Sequence, residues 1–289
     1  MKKLLALMLS ALLICSAALA ESADNAPDLP GAEKLTVGEK TEIDLDGDGE
    51  SELLHLEMQG DPEEPQLTVI VTGSDGAVYE YTTDIIYYER VYAMDVDGDG
   101  KRELLLSGDV CSDDYFTWCL RYDAEVGLTP VQFPDATRGM PGEADPYQDC
   151  GYGLLEEIND GALKLMGSQD VLGTWMCTRE VKYDAQSGRF EFADDGAWLM
   201  NTNGLDWNEE WLPTTKTKLP ATIDGEAAEI PAHTKLLPTS TDKQTYVNIV
   251  LEDGREASLE ITPDAARGYG YTISGVADDS YFEYLPYAD

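Results

Sequence analysis

The chain has 289 residues, 43% of them apolar, which is enough for one large or two modest domains with a real hydrophobic core. It carries 57 Asp and Glu against 19 Lys and Arg, a formal net charge of -38. Because this charge repels phosphate backbones and anionic lipid heads, it excludes nucleic acids and anionic membrane surfaces as partners and favours cations and basic partners.

The first 20 residues, MKKLLALMLSALLICSAALA, predict a cleaved export signal. Lys2 and Lys3 precede an apolar run that ends in the small-x-small pattern Ala18-Leu19-Ala20. No later stretch approaches about 18 consecutive apolar residues, so we expect a mature chain without a transmembrane segment. The sequence therefore predicts a bacterial protein that is secreted or displayed at the cell surface.

A lipid anchor on Cys15 is the alternative for this leader. The bacterial lipobox requires a small residue before its cysteine, and here that residue is Ile14, which favours simple cleavage. Residues 21–37 are polar and contain two prolines, so they predict a flexible spacer behind the cleavage site.

An internal repeat dominates the next part of the chain. Residues 44–54, DLDGDGESELL, return 51 positions later as residues 95–105, DVDGDGKRELL. Each copy leads into period-two alternation with Asp-Gly and similar turns, the pattern of strand, strand, turn and strand. Repeats of this length are typical of propeller blades, and residues 150–195 predict a third unit without the acidic loop. We therefore predict an all-β fold, with an incomplete set of propeller-like antiparallel blades over residues 38–195.

The remaining chain predicts a second domain. Residues 196–214 are poorly periodic and turn-rich, which is typical of a linker. Residues 215–289 contain short strands, such as 245–251 and 257–261, around an Asp-Gly turn. This spacing predicts a small β-barrel over residues 215–289.

Three tryptophans, Trp198, Trp207 and Trp211, lie near this boundary. We interpret them as packing between the domains. A platform for stacking sugars is the alternative.

Four cysteines follow the leader. An even number in an exported chain predicts disulfides, and the most economical pairing is Cys111–Cys119 with Cys150–Cys177. Four buried thiols are the alternative. The absence of any CxxC motif argues against a cysteine metal site.

The two acidic loops predict calcium sites. Each places Asp at positions 1, 3 and 5 and Gly at position 6, so that the carboxylates surround one point. Carboxylates this close repel one another unless a divalent ion neutralises them. Glu50 and Lys101, at position 7, would contribute main-chain carbonyls. The predicted ligands of two Ca²⁺ ions are Asp44, Asp46, Asp48, Glu50 and Glu52 in the first loop, and Asp95, Asp97, Asp99, Lys101 and Glu103 in the second.

These loops are not EF-hands. An EF-hand needs Glu at position 12 and a helix on each side, but position 12 is His55 or Leu106 and both loops lead into strands. Over residues 40–135 the loops resemble those of FG-GAP or VCBS repeats, the units of integrin-type β-propellers. That resemblance implies calcium that stiffens the blades. Acidic Asp-Gly turns without an ion are the alternative.

The C-terminal segment resembles a bacterial Src-homology-3-like barrel. The resemblance depends on Thr241-Asp242, Tyr246-Val247 and the turn Leu251–Arg255. It implies binding of cell-wall peptides or a spacer role.

No enzyme motif is present in the sequence. GxSxG, HExxH, a P-loop and a nucleotide-binding GxGxxG are absent, and His55 and His233 are the only histidines. We therefore predict a non-enzymatic, calcium-binding scaffold that binds a cell-wall, glycan or protein ligand. The alternative is an extracellular glycosidase-type hydrolase that uses a carboxylate pair.

Overall fold

The structure is a computed structural model, and it describes residues 26–111, 114–134, 149–202, 205–267 and 270–287. The predicted export signal and Cys15 lie outside these ranges. Within the described residues no helix is long and apolar enough to cross a bilayer.

The all-β class is confirmed, because 55% of the chain is strand and 1% is helix. The first strands are β1 (Glu33–Lys34), β2 (Lys40–Ile43), β3 (Glu52–Asp61), β4 (Glu64–Thr72), β5 (Val78–Thr82), β6 (Tyr87–Met94), β7 (Glu103–Asp109), β8 (Tyr115–Asp123), β9 (Gly127–Pro130), β10 (Cys150–Tyr152), β11 (Leu154–Asn159) and β12 (Ala162–Asp170). They are followed by β13 (Thr174–Asp184), β14 (Arg189–Phe192), β15 (Trp198–Met200), β16 (Thr214–Thr215), β17 (Leu219–Ile223), β18 (Glu226–Ile230), β19 (Leu236–Thr241), β20 (Tyr246–Leu251), β21 (Glu256–Pro263), β22 (Tyr271–Ile273), β23 (Val276–Ala277) and β24 (Phe282–Tyr284). A short 3-10 helix, Asp278–Ser280, precedes β24.

The chain divides into two compact units, and both are discontinuous in sequence. The N-terminal unit comprises the described residues of 1–136, 147–165 and 181–191. The C-terminal unit comprises those of 166–180 and 192–289. The domain limits derived from the sequence stay a prediction.

In the N-terminal unit the two sequence repeats fold alike. The first forms the antiparallel sheet β2-β3-β4-β5, and the second forms β6-β7-β8-β9. Strand β1, from the predicted spacer, pairs with β6, and β10 pairs with β8. Strands β11 to β14 form a further meander, in which β12 and β13 contribute residues to both units.

Period-two alternation builds the core of these sheets. Leu54 and Leu56 on β3 lie opposite Val71 and Val69 on β4, and all four are almost fully buried. The residues between them face the other side of the sheet. Each such aliphatic side chain contributes about 1.5–3 kcal/mol through its burial.

In the C-terminal unit the strand order is β13-β15-β19-β20-β21-β17-β18, and β22 and β23 continue from β21. Strand β15 lies within the predicted linker and pairs with both β13 and β19. Strands β16 and β24 form a separate pair. No closed barrel is detected among the described residues of this unit, so the barrel stays a prediction.

The predicted Cys111–Cys119 disulfide is wrong, because strand pairing separates the two residues. Cys119 lies opposite Leu105, whereas Cys111 follows Asp109 beyond the far end of β7. Leu105 and Asp109 are about 13 Å apart along the strand, and a disulfide needs its Cα atoms within about 7 Å.

The predicted Cys150–Cys177 disulfide is also wrong. Cys150 lies on β10 opposite Trp118, and Cys177 lies on β13 opposite Met200, with no bond between the two thiols. Cys119, Cys150 and Cys177 are buried, as the alternative interpretation expected, while Cys111 is exposed. Burial raises the pKa of the Cys177 thiol to about 12.

Candidate metal centre

Both acidic loops connect neighbouring strands of a sheet. The first loop follows Ile43 on β2 and ends at Glu52 on β3, and these two residues are paired across the strands. The second loop stands between Met94 on β6 and Glu103 on β7, which are paired in the same way. The two repeats therefore place their acidic segments at equivalent positions.

In each loop three carboxylates converge. One oxygen each from Asp44, Asp46 and Asp48 lies within 4.8 Å of the others. Asp95, Asp97 and Asp99 form the corresponding group in the second loop. The structure thus brings together the predicted ligands at positions 1, 3 and 5 of both loops.

Main-chain amides hold the first carboxylates in place. Asp44 accepts hydrogen bonds from Gly47 N–H (2.8 Å, Oδ1) and Gly49 N–H (3.0 Å, Oδ2). Asp95 accepts the same two bonds from Gly98 (2.7 Å) and Gly100 (2.9 Å).

The residues at position 7 donate to the carboxylates at position 5. Glu50 N–H lies 2.7 Å from Asp48 Oδ1, and Lys101 N–H lies 2.8 Å from Asp99 Oδ1. The loops therefore share these hydrogen bonds from position 1 to position 7, and the second loop adds a bond from Asp99 N–H to Asp95 Oδ1 at 3.2 Å.

The predicted ligands at position 9 are buried and bond to the backbone of their own loops. Glu52 Oε2 accepts from Leu45 N–H (2.8 Å), and Glu103 Oε2 accepts from Val96 N–H (3.0 Å). Burial raises the pKa of both carboxyl groups, and these backbone hydrogen bonds oppose the shift. Glu52 and Glu103 close the loops and are not members of the two three-carboxylate groups.

The two loops lie side by side, which the sequence analysis did not predict. Arg102 N–H donates to Leu45 O at 2.8 Å. A Cβ atom added to Gly47 would lie 3.1 Å from Gly100 O. Six aspartates are thereby gathered on one part of the N-terminal unit.

Sequence reasoning also missed Arg121. This residue lies on β8, and its guanidinium donates to Asp97 Oδ2 (2.7 Å) and to Glu103 Oε1 (2.9 Å). It is the only basic side chain within the described residues that forms a salt bridge with either loop's aspartate group. The 51-residue offset does not identify this residue, because it aligns Arg121 with Ile70, which lies opposite His55 and away from Glu52.

The histidines take part in simple side-chain pairs. His55, half-buried on β3, has Nδ1 3.9 Å from Glu57 Oε2. His233 is exposed, and its Nδ1 lies 2.8 Å from Glu283 Oε1.

The three tryptophans near the predicted boundary all belong to the C-terminal unit. Trp198 stacks on the Arg179 guanidinium at 4.1 Å, and Trp211 lies 5.8 Å from the Trp175 ring. The main-chain carbonyl of Trp207 accepts a hydrogen bond from Lys235 Nζ at 2.6 Å. The structure therefore gives each of them a different local partner.

Comparison with protein-family models, with curated proteins and with solved structures finds no match to this chain.

Proposed function

We propose that the protein is an exported, non-enzymatic scaffold that binds two calcium ions, one in each acidic loop. The observation that carries the proposal is the pair of three-carboxylate groups, formed twice with the same hydrogen-bond pattern. The proposed ligands are those predicted from the sequence, with the aspartates as the primary set.

The chemistry of the loops supports a hard cation. Calcium takes six to eight oxygen ligands, and carboxylates, carbonyls and water supply them. Three carboxylates whose oxygens lie within 4.8 Å repel one another, and a divalent ion converts that repulsion into attraction. Asp48 and Asp99 are exposed, so an ion can reach both groups from solvent.

The position of the loops supports a structural role for the ions. Each loop joins two paired strands, and the loops touch through Arg102 and Leu45. Ions bound there would fix these connections, and the sheets would present their outer faces to a cell-wall, glycan or protein partner. The leader predicted from residues 1–20 supports delivery outside the cell, where calcium is plentiful.

The test is calcium titration by calorimetry, together with thermal melting in calcium and in chelator. We expect two bound ions and a stabilisation of about 2.7 kcal/mol when calcium exceeds Kd a hundredfold. The double variant Asp46→Asn/Asp97→Asn should lose both the heat of binding and the calcium-dependent shift in melting temperature.

Asp75→Asn is the matched control for this test. Asp75 is an exposed turn aspartate that accepts a hydrogen bond from Ala77 N–H, but it belongs to neither group. This variant should keep calcium binding. Identical melting curves of the unaltered protein in calcium and in chelator would overturn the proposal.

A further inference from the structure

The Arg121 side chain is inserted at the edge of the second aspartate group. Its Nη2 lies 2.7 Å from Asp97 Oδ2, and its Nε lies 2.9 Å from Glu103 Oε1. The exposed fractions of the three side chains are 29% for Arg121, 9% for Asp97 and 0% for Glu103. Charge-assisted bonds in such surroundings are strong, and salt screens them less than surface pairs.

The first loop has no such partner. Leu120, which precedes Arg121, pairs with Leu104, and in the first repeat Thr72 pairs in the same way with Leu53. The residue that follows Thr72 is Gly73, so the first repeat has no side chain at the place of Arg121. Within the described residues no salt bridge reaches the aspartate group of the first loop or Glu52. The loops share most of their internal hydrogen bonds, and the salt bridge from a guanidinium belongs to the second loop.

We propose that Arg121 is the built-in counter-cation of the second loop and makes the two calcium sites unequal. This inference rests on the proposed function. The carboxylates of the first loop are neutralised only by a cation from solution, whereas those of the second loop already have the Arg121 guanidinium of β8 beside them. Calcium therefore fills the first loop before the second, and the second loop keeps its shape when calcium is absent.

The affinity difference follows from charge and from ligand availability. The guanidinium repels an incoming Ca²⁺, and it occupies an oxygen of Asp97 that the ion would otherwise use. At a separation of a few ångströms in a partly solvated site, one unit charge changes affinity by about tenfold or more. We therefore expect the second site to bind calcium about tenfold more weakly than the first.

The experiment isolates each loop in the full chain and titrates it with calcium by calorimetry. Asp44→Asn/Asp46→Asn leaves the second loop intact, and Asp95→Asn/Asp97→Asn leaves the first. The first-loop site should bind about tenfold more tightly than the second-loop site. Equal affinities, or a tighter second site, would overturn the inference while leaving the proposed function standing.

Substitution of Arg121 tests the cause of the difference. Arg121→Ile removes the positive charge from β8 and, combined with Asp44→Asn/Asp46→Asn, should tighten the second site about tenfold. Arg121→Lys keeps the charge and should leave that site weak. If Arg121→Ile does not fold, Arg121→Gln replaces it in the same comparison. An unchanged affinity in the neutral variant would overturn the role of Arg121.

Melting in chelator provides a readout that does not depend on calcium binding. Arg121→Ile should lower the melting temperature in chelator, and calcium should recover most of the loss. An unchanged melting temperature in chelator would overturn the counter-cation role. Failure of the unaltered protein to bind any calcium would instead overturn the proposed function, so the two failures are distinguishable.

Discussion

Gly47 and Gly98 occupy the same position in the two acidic loops, but their surroundings differ. Both have a positive φ, +74° and +78°, which favours glycine. A Cβ on Gly47 would lie 3.1 Å from Gly100 O, whereas a Cβ on Gly98 would meet nothing within 4 Å. The pair therefore separates the conformational cost of a side chain from the cost of the contact between the loops.

We expect both alanine variants to be less stable, and Gly47→Ala to be the worse. Each should lose about 1–2 kcal/mol to the left-handed backbone conformation. Gly47→Ala should lose a further ~1 kcal/mol, because the crowded loops must move apart. Urea denaturation in chelator measures the free energy of unfolding without a contribution from calcium. Equal losses would show that the loops do not press on each other in solution.

At the scale of single residues, the sequence predicts contacts between residues that are close together in the chain. Asp44 and Asp95 bond to amides no more than five residues away, so the spacing of the motif is sufficient to predict the carboxylate groups. Arg121 reaches Asp97 across 24 positions and through the pairing of β7 with β8. No local pattern encodes that contact, because it depends on the register between β7 and β8.

At the scale of elements, a buried hydroxyl network joins β7, β8 and β11. Ser107 Oγ and Thr117 Oγ1 lie 2.8 Å apart, and both residues are fully buried. Thr117 Oγ1 also donates to Gly153 O (2.7 Å), while Ser107 Oγ accepts from Leu155 N–H (2.8 Å). These bonds satisfy polar groups that have no access to water.

Thr117→Val should destabilise the protein by about 1–3 kcal/mol. The substitution keeps the side-chain shape but removes the hydroxyl, which leaves Gly153 O and Ser107 without this partner in the core. Thr234→Val is the control, because Thr234 Oγ1 also donates to a main-chain carbonyl, Pro231 O (2.8 Å), but at an exposed site. The control should change stability by no more than about 0.5 kcal/mol. Chemical denaturation compares the two, and similar losses would contradict the assigned role of the network.

Strands with clear alternation were predictable, and the short ones were not. Val69 and Val71 on β4 alternate visibly, whereas β15 consists of Trp198, Leu199 and Met200. Three residues are too few to display a period of two, so the sequence of the surrounding segment predicts a linker. What makes β15 a strand is its pairing with β13 and β19, which are far from it in sequence.

At the scale of the molecule, the discontinuous units explain why domain limits are difficult to read from this sequence. Residues 166–180 belong to the C-terminal unit, although residues 147–165 and 181–191 belong to the other. Composition and turn patterns can only mark boundaries between consecutive segments of the sequence. A compact unit is defined instead by contacts between strands, which can join segments that are not consecutive. The predicted boundary near residues 196–214 therefore divides the sequence into consecutive domains, which is all that such patterns can indicate.

Calcium should act on the two units to different extents. All the proposed ligands lie in the N-terminal unit, on the loops between β2 and β3 and between β6 and β7. The strands β19, β20 and β21 belong to the C-terminal unit and carry their own buried residues, including Val247 and Leu259. The free energy of local opening depends on the contacts within a region. Removal of calcium should therefore lower the stability of the strands next to the acidic loops more than that of β19–β21.

Hydrogen exchange measured by mass spectrometry, in calcium and in chelator, tests this expectation. Chelation should speed exchange in peptides of β2 and β3 by about tenfold or more, because the carboxylates of the first loop then repel one another. Peptides of β6 and β7 should speed up less, because Arg121 keeps its ion pairs with the second loop. Peptides of β19–β21 should exchange at an unchanged rate. In Asp46→Asn/Asp97→Asn, calcium should have no effect in either region. Equal acceleration in both regions would show instead that the two units open as one cooperative structure, with the calcium loops governing the stability of the whole chain.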